Sequence, residues 1–230
     1  MRREPCSNGA QPDDVFGGAR RPGHALMMPE LSEADATRTR IIEVADQLFY
    51  RQGIRAVRVD QIATALGMSK KTLYRLFPSK NDLVLAYLKG RFRPLPATSD
   101  KPPAQQILDN FDWLARSLST SRADRGCAFV NALAELGEDD VEARALCVQY
   151  KDSRRLWYRR LLTQLGVDDP DTLATQLALL VDGVYASVLV HEHANAASAA
   201  IAAVRVLLKN AGVPLGLAPE PHDRRAEAAA

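Results

Sequence analysis

Cysteine is too scarce and too scattered in this chain to staple a fold. Cys6, Cys127 and Cys147 form an odd set with no short metal-ligand spacing. Cys127 and Cys147 sit in apolar helical surroundings and read as small core residues, in keeping with a reduced, cytoplasmic setting. Histidine is also rare. His191 and His193 make an H-x-H, but acidic or cysteine partners at metal spacing are missing, so no metal and no cofactor is expected. Long apolar runs are absent too. The longest, Leu177 to Val190, is broken by Asp182 and Gly183. It falls short of the roughly 18 to 20 residues that cross a bilayer and predicts a buried helix instead. The first thirty residues carry arginines without an apolar h-region, so no secretory signal is expected. Neither a nucleophile elbow nor a phosphate-binding glycine loop occurs, and no enzymatic activity is expected. An enzymatic alternative would have to pair Cys127 with His191 or His193.

What is present is an uneven charge. The net charge of the 230 residues is only +2, yet Thr37 to Arg91 holds eleven Lys or Arg against four Asp or Glu, a net of +7. The remainder therefore carries −5. A short basic module on a mildly acidic chain points to a polyanion partner.

The organisation along the chain is helical. Residues 1–31 are rich in Gly, Pro and Arg without hydrophobic periodicity and read as a disordered arm. Ser32 opens a capping-box pattern, after which Ile41, Ile42, Ala45, Leu48 and Phe49 mark one buried face, and Gly53 stops the helix. A shorter helix between Arg58 and Leu66 turns inward Val59, Ile62, Ala63 and Leu66. Gly67 and Met68 make a turn, Ser69 caps a helix to Phe77, and after Pro78 a second serine box, Ser79 with Asp82, starts a helix to about Gly90. A Pro-rich break, Arg93 to Pro103, leads to helices over roughly 104–119, 126–136, 140–165, 171–191 and 196–210. The end after Pro214 looks frayed. No segment alternates like a strand. The expected fold is all-α, with a basic module over 32–91, a larger helical bundle over 92–213 and a tail over 214–230.

The helix after Ser69 carries the chemistry. At 100° per residue Leu73, Leu76 and Phe77 fall on one side, while Lys71, Tyr74 and Arg75 point away, flanked by Lys70 and Thr72. A helix of this width fits the major groove of double-stranded DNA, where cations meet guanine or phosphate and a threonine methyl meets thymine. The helix before the glycine turn completes a helix-turn-helix, Ser69 at the start of the second helix is a further candidate DNA contact, and Arg58 and Lys80 stand at helix starts suited to flanking phosphates.

The residue order "IIEVADQLFYRQG" followed by "VDQIATALGMSKKTLYRLFPSKNDLV" closely resembles the DNA-binding domain of TetR-family transcriptional regulators, from about Thr39 to Leu88. The resemblance implies DNA contacts from Lys70, Lys71, Thr72 and Tyr74, with Lys80 gripping a phosphate. It departs from the family at Val57 and Arg58, where a hydroxyl cap is usual, and at Leu76, where His is frequent. It further implies a ligand-responsive regulator, most often a repressor, that binds a palindromic operator as a homodimer and is released by a small-molecule effector. A non-specific DNA-binding protein is the alternative.

For the helical half the resemblance is one of architecture. The Ala-, Leu- and Val-rich segments within 171–210 are expected to form a four-helix dimer interface, the alternative being packing within one subunit. Trp113, Phe129, Asn131, Trp157, Tyr158 and Tyr185 are the candidate pocket residues among the central helices, whereas Phe111 and Leu114 read as core. The arm leaves two readings: translation starting at Met27 or Met28, or a basic tail of Arg2, Arg3, Arg20 and Arg21 reaching the minor groove.

Overall fold

A computed structural model describes residues 32–97, 99–118, 125–190 and 193–215. The arm with its two candidate start methionines, and His191, lie outside the described residues, as does the side chain of His193. Among the described residues there are helices and no strands. The basic module consists of α1 (Glu33–Gln52), α2 (Val59–Ala65), α3 (Lys70–Leu76) and α4 (Lys80–Arg91). The remainder consists of α5 (Pro103–Leu118), α6 (Ala128–Glu135), α7 (Val141–Gln164), α8 (Pro170–Ser187) and α9 (His193–Asn210), with a 3-10 turn at Val188–Val190. The apolar run thus stops being α-helical three residues earlier than its composition predicts.

The helix starts follow from the caps. Ser32 Oγ accepts from Asp35 N at 3.2 Å, Ser69 Oγ from Thr72 N at 3.1 Å, and Ser79 Oγ from Asp82 N at 3.1 Å. At Ser79 the box is closed, since Ser79 N donates back to Asp82 Oδ2 at 2.9 Å. Asp169 caps α8 by accepting from Thr172 N at 3.0 Å, with Pro170 in the first turn. Gly67, at φ 65°, makes the turn between α2 and α3, a left-handed conformation that favours glycine.

Two cores form. The first gathers Ile41, Ala45 and Phe49 of α1, Ile62 of α2, Leu73 and Phe77 beside α3, and Leu83 and Leu88 of α4, together with Phe129 and Ala132 of α6 and Cys147 of α7. The second gathers Ile107, Phe111 and Leu114 of α5, Tyr158, Leu161 and Leu162 of α7, and the inner faces of α8 and α9. Helix α7, about 36 Å long for its 24 residues, runs through both. The basic module is therefore packed directly against α6 and the start of α7. The Pro-rich segment is also tied down: Trp157 Nε1 and Arg160 Nη2 both donate to Pro96 O, at 2.9 and 3.2 Å, and Leu95 packs on the second core.

Pro170–Val190 is long and apolar enough, by length and composition, to cross a membrane, yet it carries a packed inner face. Leu173, Leu177, Val181 and Val184 are buried, and Asp182 is ion-paired to Lys151 of α7. Its other face exposes Leu179, Gly183, Ala186 and Val190.

Candidate nucleic-acid interface and inner cavities

Helix α3 is short, and its orientation is fixed from below. Leu73 and Phe77 are buried, and Leu76 is half-buried. Arg38 of α1 lies over the Phe77 ring at 4.2 Å, and its Nη1 donates to Leu76 O at 2.7 Å. One arginine thus satisfies a carbonyl at the end of α3 and covers its anchor. The sequence reading missed Arg38, which stands one turn before the apolar stripe of α1.

The opposite face presents Lys70, Lys71, Tyr74 and Arg75, all exposed, with Tyr74 at 37 %. Thr72 is half-buried, and its hydroxyl hydrogen-bonds Ser69 Oγ at 2.9 Å, so Ser69 braces Thr72 as well as capping the helix. Lys70 is paired with Asp60 of α2 at 2.8 Å and lies 6.0 Å from the Tyr74 ring. The hydrogen bond and the charge of Asp60 hold the Lys70 ammonium above its usual pKa. Both partners are more than half exposed, so this pair is open to exchange with a phosphate.

At the flanks, Arg58 is exposed at the start of α2. In place of the missing hydroxyl cap, Gln61 Oε1 accepts from Arg58 N at 2.7 Å. Lys80 opens α4 and is half-buried. Burial pushes its ammonium pKa down, against the opposing pull of Glu135 and Asp140 from the helical half. Glu135 is itself a tie between the halves, since its Oε2 accepts from Arg55 N at 2.8 Å while Arg55 Nε donates to Glu135 O at 2.7 Å.

Two cavities lie above this module. The nearer, about 240 Å³, is lined by Tyr50, Arg91, Trp113, Phe129, Tyr150 and Tyr185 among others. Arg91 makes a two-pronged ion pair with Asp46 of α1 and stacks on Tyr50 at 4.1 Å. Tyr50 OH donates to Gly126 O at 2.9 Å. The farther cavity, about 400 Å³, is walled by Pro94 to Pro96, Asn110, Trp113, Tyr150, Arg154 and Trp157. Trp113 and Tyr150 belong to both, and Tyr150 stacks on Phe129 with ring centroids 3.7 Å apart.

Of the residues singled out from sequence, Trp113, Phe129, Trp157 and Tyr185 thus line one cavity or the other. Tyr158 is wholly buried behind the farther wall, where its hydroxyl donates to Asn110 Oδ1 at 2.7 Å. Asn131 lies elsewhere, beside a void of about 10 Å³, with its amide donating to Arg125 O at 2.6 Å. Asn110 and Arg154 were not picked out, although both sit on buried helix faces. Burial pushes the Cys147 thiol up to about 11, which keeps it protonated and unreactive. Among the described residues no group of three His, Cys, Asp or Glu could hold a metal.

Residues 41–87 match the family model described as "Bacterial regulatory proteins, tetR family". The chain is 26 % identical over 158 residues to the HTH-type transcriptional regulator YjdC of Escherichia coli, covering 66 % of this chain and 82 % of that protein. Among solved structures it is similar to the sav143 protein of Streptomyces avermitilis, at 29 % identity and a TM-score of 0.68, covering 77 % of this chain and 98 % of the other. It is also similar to SCO4454, a TetR-family regulator of Streptomyces coelicolor, at 25 % identity and a TM-score of 0.67, covering 76 % and 95 %.

Proposed function

We propose, from the premise that this chain belongs to the TetR family of transcriptional regulators, that it is a cytoplasmic repressor. It binds a palindromic operator as a homodimer and leaves it when a small molecule fills the cavity beside Trp113 and Trp157. The observation that carries the DNA reading is α3 itself: an apolar underside anchored by Leu73 and Phe77, with Lys71, Tyr74 and Arg75 turned outward and Lys70 and Thr72 beside them. Such a face reads base edges, while Arg58 and Lys80 reach the backbone on either side.

Dimerisation is assigned to α8 and α9. Leu179, Gly183, Ala186 and Val190 form one outward stripe, and Ala199, Ala202 and Val206 another, with Leu179 at 64 % and Val206 at 57 % exposure. Contiguous apolar surface of this kind marks an interface, and its small residues let helices approach closely. This also accounts for the membrane-like composition of α8, which is apolar on both faces because it packs on both. Two copies joined there would set their α3 helices about one DNA turn apart, roughly 34 to 36 Å.

Helix α4 is the lever for release. Its first residue, Lys80, stands at the DNA side, while Arg91 at its end and Arg93 just beyond border the cavities. Phe92 meets both Phe129 and Tyr150 edge-on, so displacement of Tyr150 by a ligand is felt at the end of α4. The ligand acts only by binding the DNA-incompetent arrangement more tightly.

Two outcomes follow at the DNA face. Tyr74→Ala weakens operator binding by about tenfold or more while the melting temperature stays within a degree or two, since the ring is exposed and supports no core. Thermal melting alongside anisotropy with labelled operator checks this. Lys80→Ala weakens binding to operator and to random DNA by a similar factor, and the slope of log affinity against log salt shrinks by about one. An unchanged slope means Lys80 does not touch a phosphate.

The reading as a whole is tested by anisotropy with DNA flanking the chain's own gene against unlabelled random duplex. Displacement only by the specific sequence supports it. Equal displacement by both makes the protein a non-specific binder.

A further inference from the structure

Arg154 is 6 % exposed and has no carboxylate partner among the described residues. Its Nη1 donates to Asn110 Oδ1 at 3.2 Å and its Nη2 to Tyr150 OH at 3.4 Å, both long contacts to neutral oxygens. Asn110 Oδ1 is shared, because it also accepts from Tyr158 OH. Two of the five guanidinium N–H groups are thereby engaged, and the other three have no partner among the described residues. A buried cation left with shared neutral acceptors is costly, and such charges are normally paired.

The charge of the surrounding wall has the same sign. Arg93, Lys101 and Arg154 line the 400 Å³ cavity against one carboxylate, Asp109, three cations less one anion leaving an excess of two. Asp109 is already consumed by an ion pair with Lys101 and by Gln105 Nε2 at 2.7 Å. Arg93 donates to the carbonyls of Gly90 and Phe92 and is exposed, so water solvates its charge. Of the two cations without a carboxylate, Arg154 is the buried one. Around it the wall is flat and apolar: Pro94, Leu95, Pro96, Trp157, and Trp113, which is 51 % exposed.

We propose that this cavity takes a small aromatic monocarboxylate, its carboxylate held by the Arg154 guanidinium and its ring between Trp113 and Trp157. A planar fork matches one carboxylate in two parallel hydrogen bonds, and aromatic rings cover flat apolar bodies. The assignment deepens the reading of this cavity as the effector site and rests on it.

The test uses the full chain free of DNA and a matched pair of probes, 2-naphthoate and the neutral 2-naphthamide, titrated by calorimetry and thermal melting. The expected result is that 2-naphthoate binds the wild type in the millimolar range or tighter, at least tenfold better than the amide. Arg154→Gln removes that preference. Because that variant leaves a hole in a buried network, Asn110→Asp provides a second arm. It hands the guanidinium an internal carboxylate, so the protein still melts cooperatively and 2-naphthoate no longer binds. The proposal is overturned if the wild type binds the amide as well as the acid, if it binds neither, or if Asn110→Asp keeps the acid preference. Operator anisotropy separates the two readings. Binding of 2-naphthoate through Arg154 with no change in operator affinity keeps the anion site and removes the effector role. Release of operator by 2-naphthamide alone keeps an effector cavity and overturns the anion.

Discussion

Leu179→Glu is expected to turn a homodimer into a folded monomer and to cut operator affinity by at least about a hundredfold. Leu179 is 64 % exposed on the outward stripe of α8, so a single subunit tolerates the charge in water. In a two-fold interface the same substitution buries a pair of carboxylates, one from each copy, and that desolvation is prohibitive. A monomer retains one recognition helix and loses the second half-site, which is why the affinity loss is large. Val204→Glu supplies the contrast. Val204 is wholly buried in the second core, so its replacement destabilises the subunit itself. Sedimentation velocity distinguishes the two: a monomeric species with intact helical signal for Leu179→Glu, and loss of cooperative melting for Val204→Glu. A wild type that sediments as a monomer at micromolar concentration removes the interface altogether.

The second large effect is at Gly126. Its φ is +69°, and a Cβ built there would lie 2.6 Å from the backbone oxygen of Tyr185. Backbone cannot swing aside as a side chain does, so Gly126→Ala costs about 2 to 4 kcal/mol from left-handed strain and overpacking together. The damage is placed where it couples the two halves. Gly126 O is the acceptor for Tyr50 OH of α1, and Tyr185 belongs to both cores. Chemical denaturation reads the loss directly, as a lower midpoint with unchanged slope. Gly67→Ala is the control, since φ there is +65° but no atom lies within 4 Å of the added methyl. Its cost is that of the strain alone, about 1 to 2 kcal/mol.

Much of this molecule is legible in its sequence because local chemistry decides it. Ser32, Ser69 and Ser79 cap helices within one turn of themselves, and Gly53 and Gly67 break them, so element boundaries are local facts. The exposed cationic face of α3 is legible for the same reason, since apolar residues on one side leave the cations no other place. What was not legible depends on distant partners. Arg38 reaches Leu76 across 38 positions, and Glu135 reaches Arg55 across 80. Nothing local distinguishes either from an ordinary solvated charge.

Arg154 is an intermediate case. Cys147, Tyr150, Trp157, Tyr158 and Leu161 keep a helical three-and-four spacing that runs straight through position 154, so the stripe itself places an arginine inside. Asn110 similarly falls between Ile107 and Phe111 on the buried face of α5. The signal was a polar residue in an apolar register, and it went unread because charged helices usually put such residues outside. The Pro-rich segment misleads in the other direction. Composition makes it a break, whereas Pro96 is an acceptor for Trp157 and forms a wall of the larger cavity.

The central claim is that α3 of each of two copies reads one half of a symmetric DNA site. Footprinting on the DNA flanking the chain's own gene tests it most directly, with the wild type and a Lys71→Ala, Tyr74→Ala double variant compared at equal concentration. The account predicts two protected patches related by a two-fold axis and centred about one helical turn apart, both lost in the double variant while it melts like the wild type. Protection that lacks two-fold symmetry, or that survives removal of Lys71 and Tyr74, would contradict it.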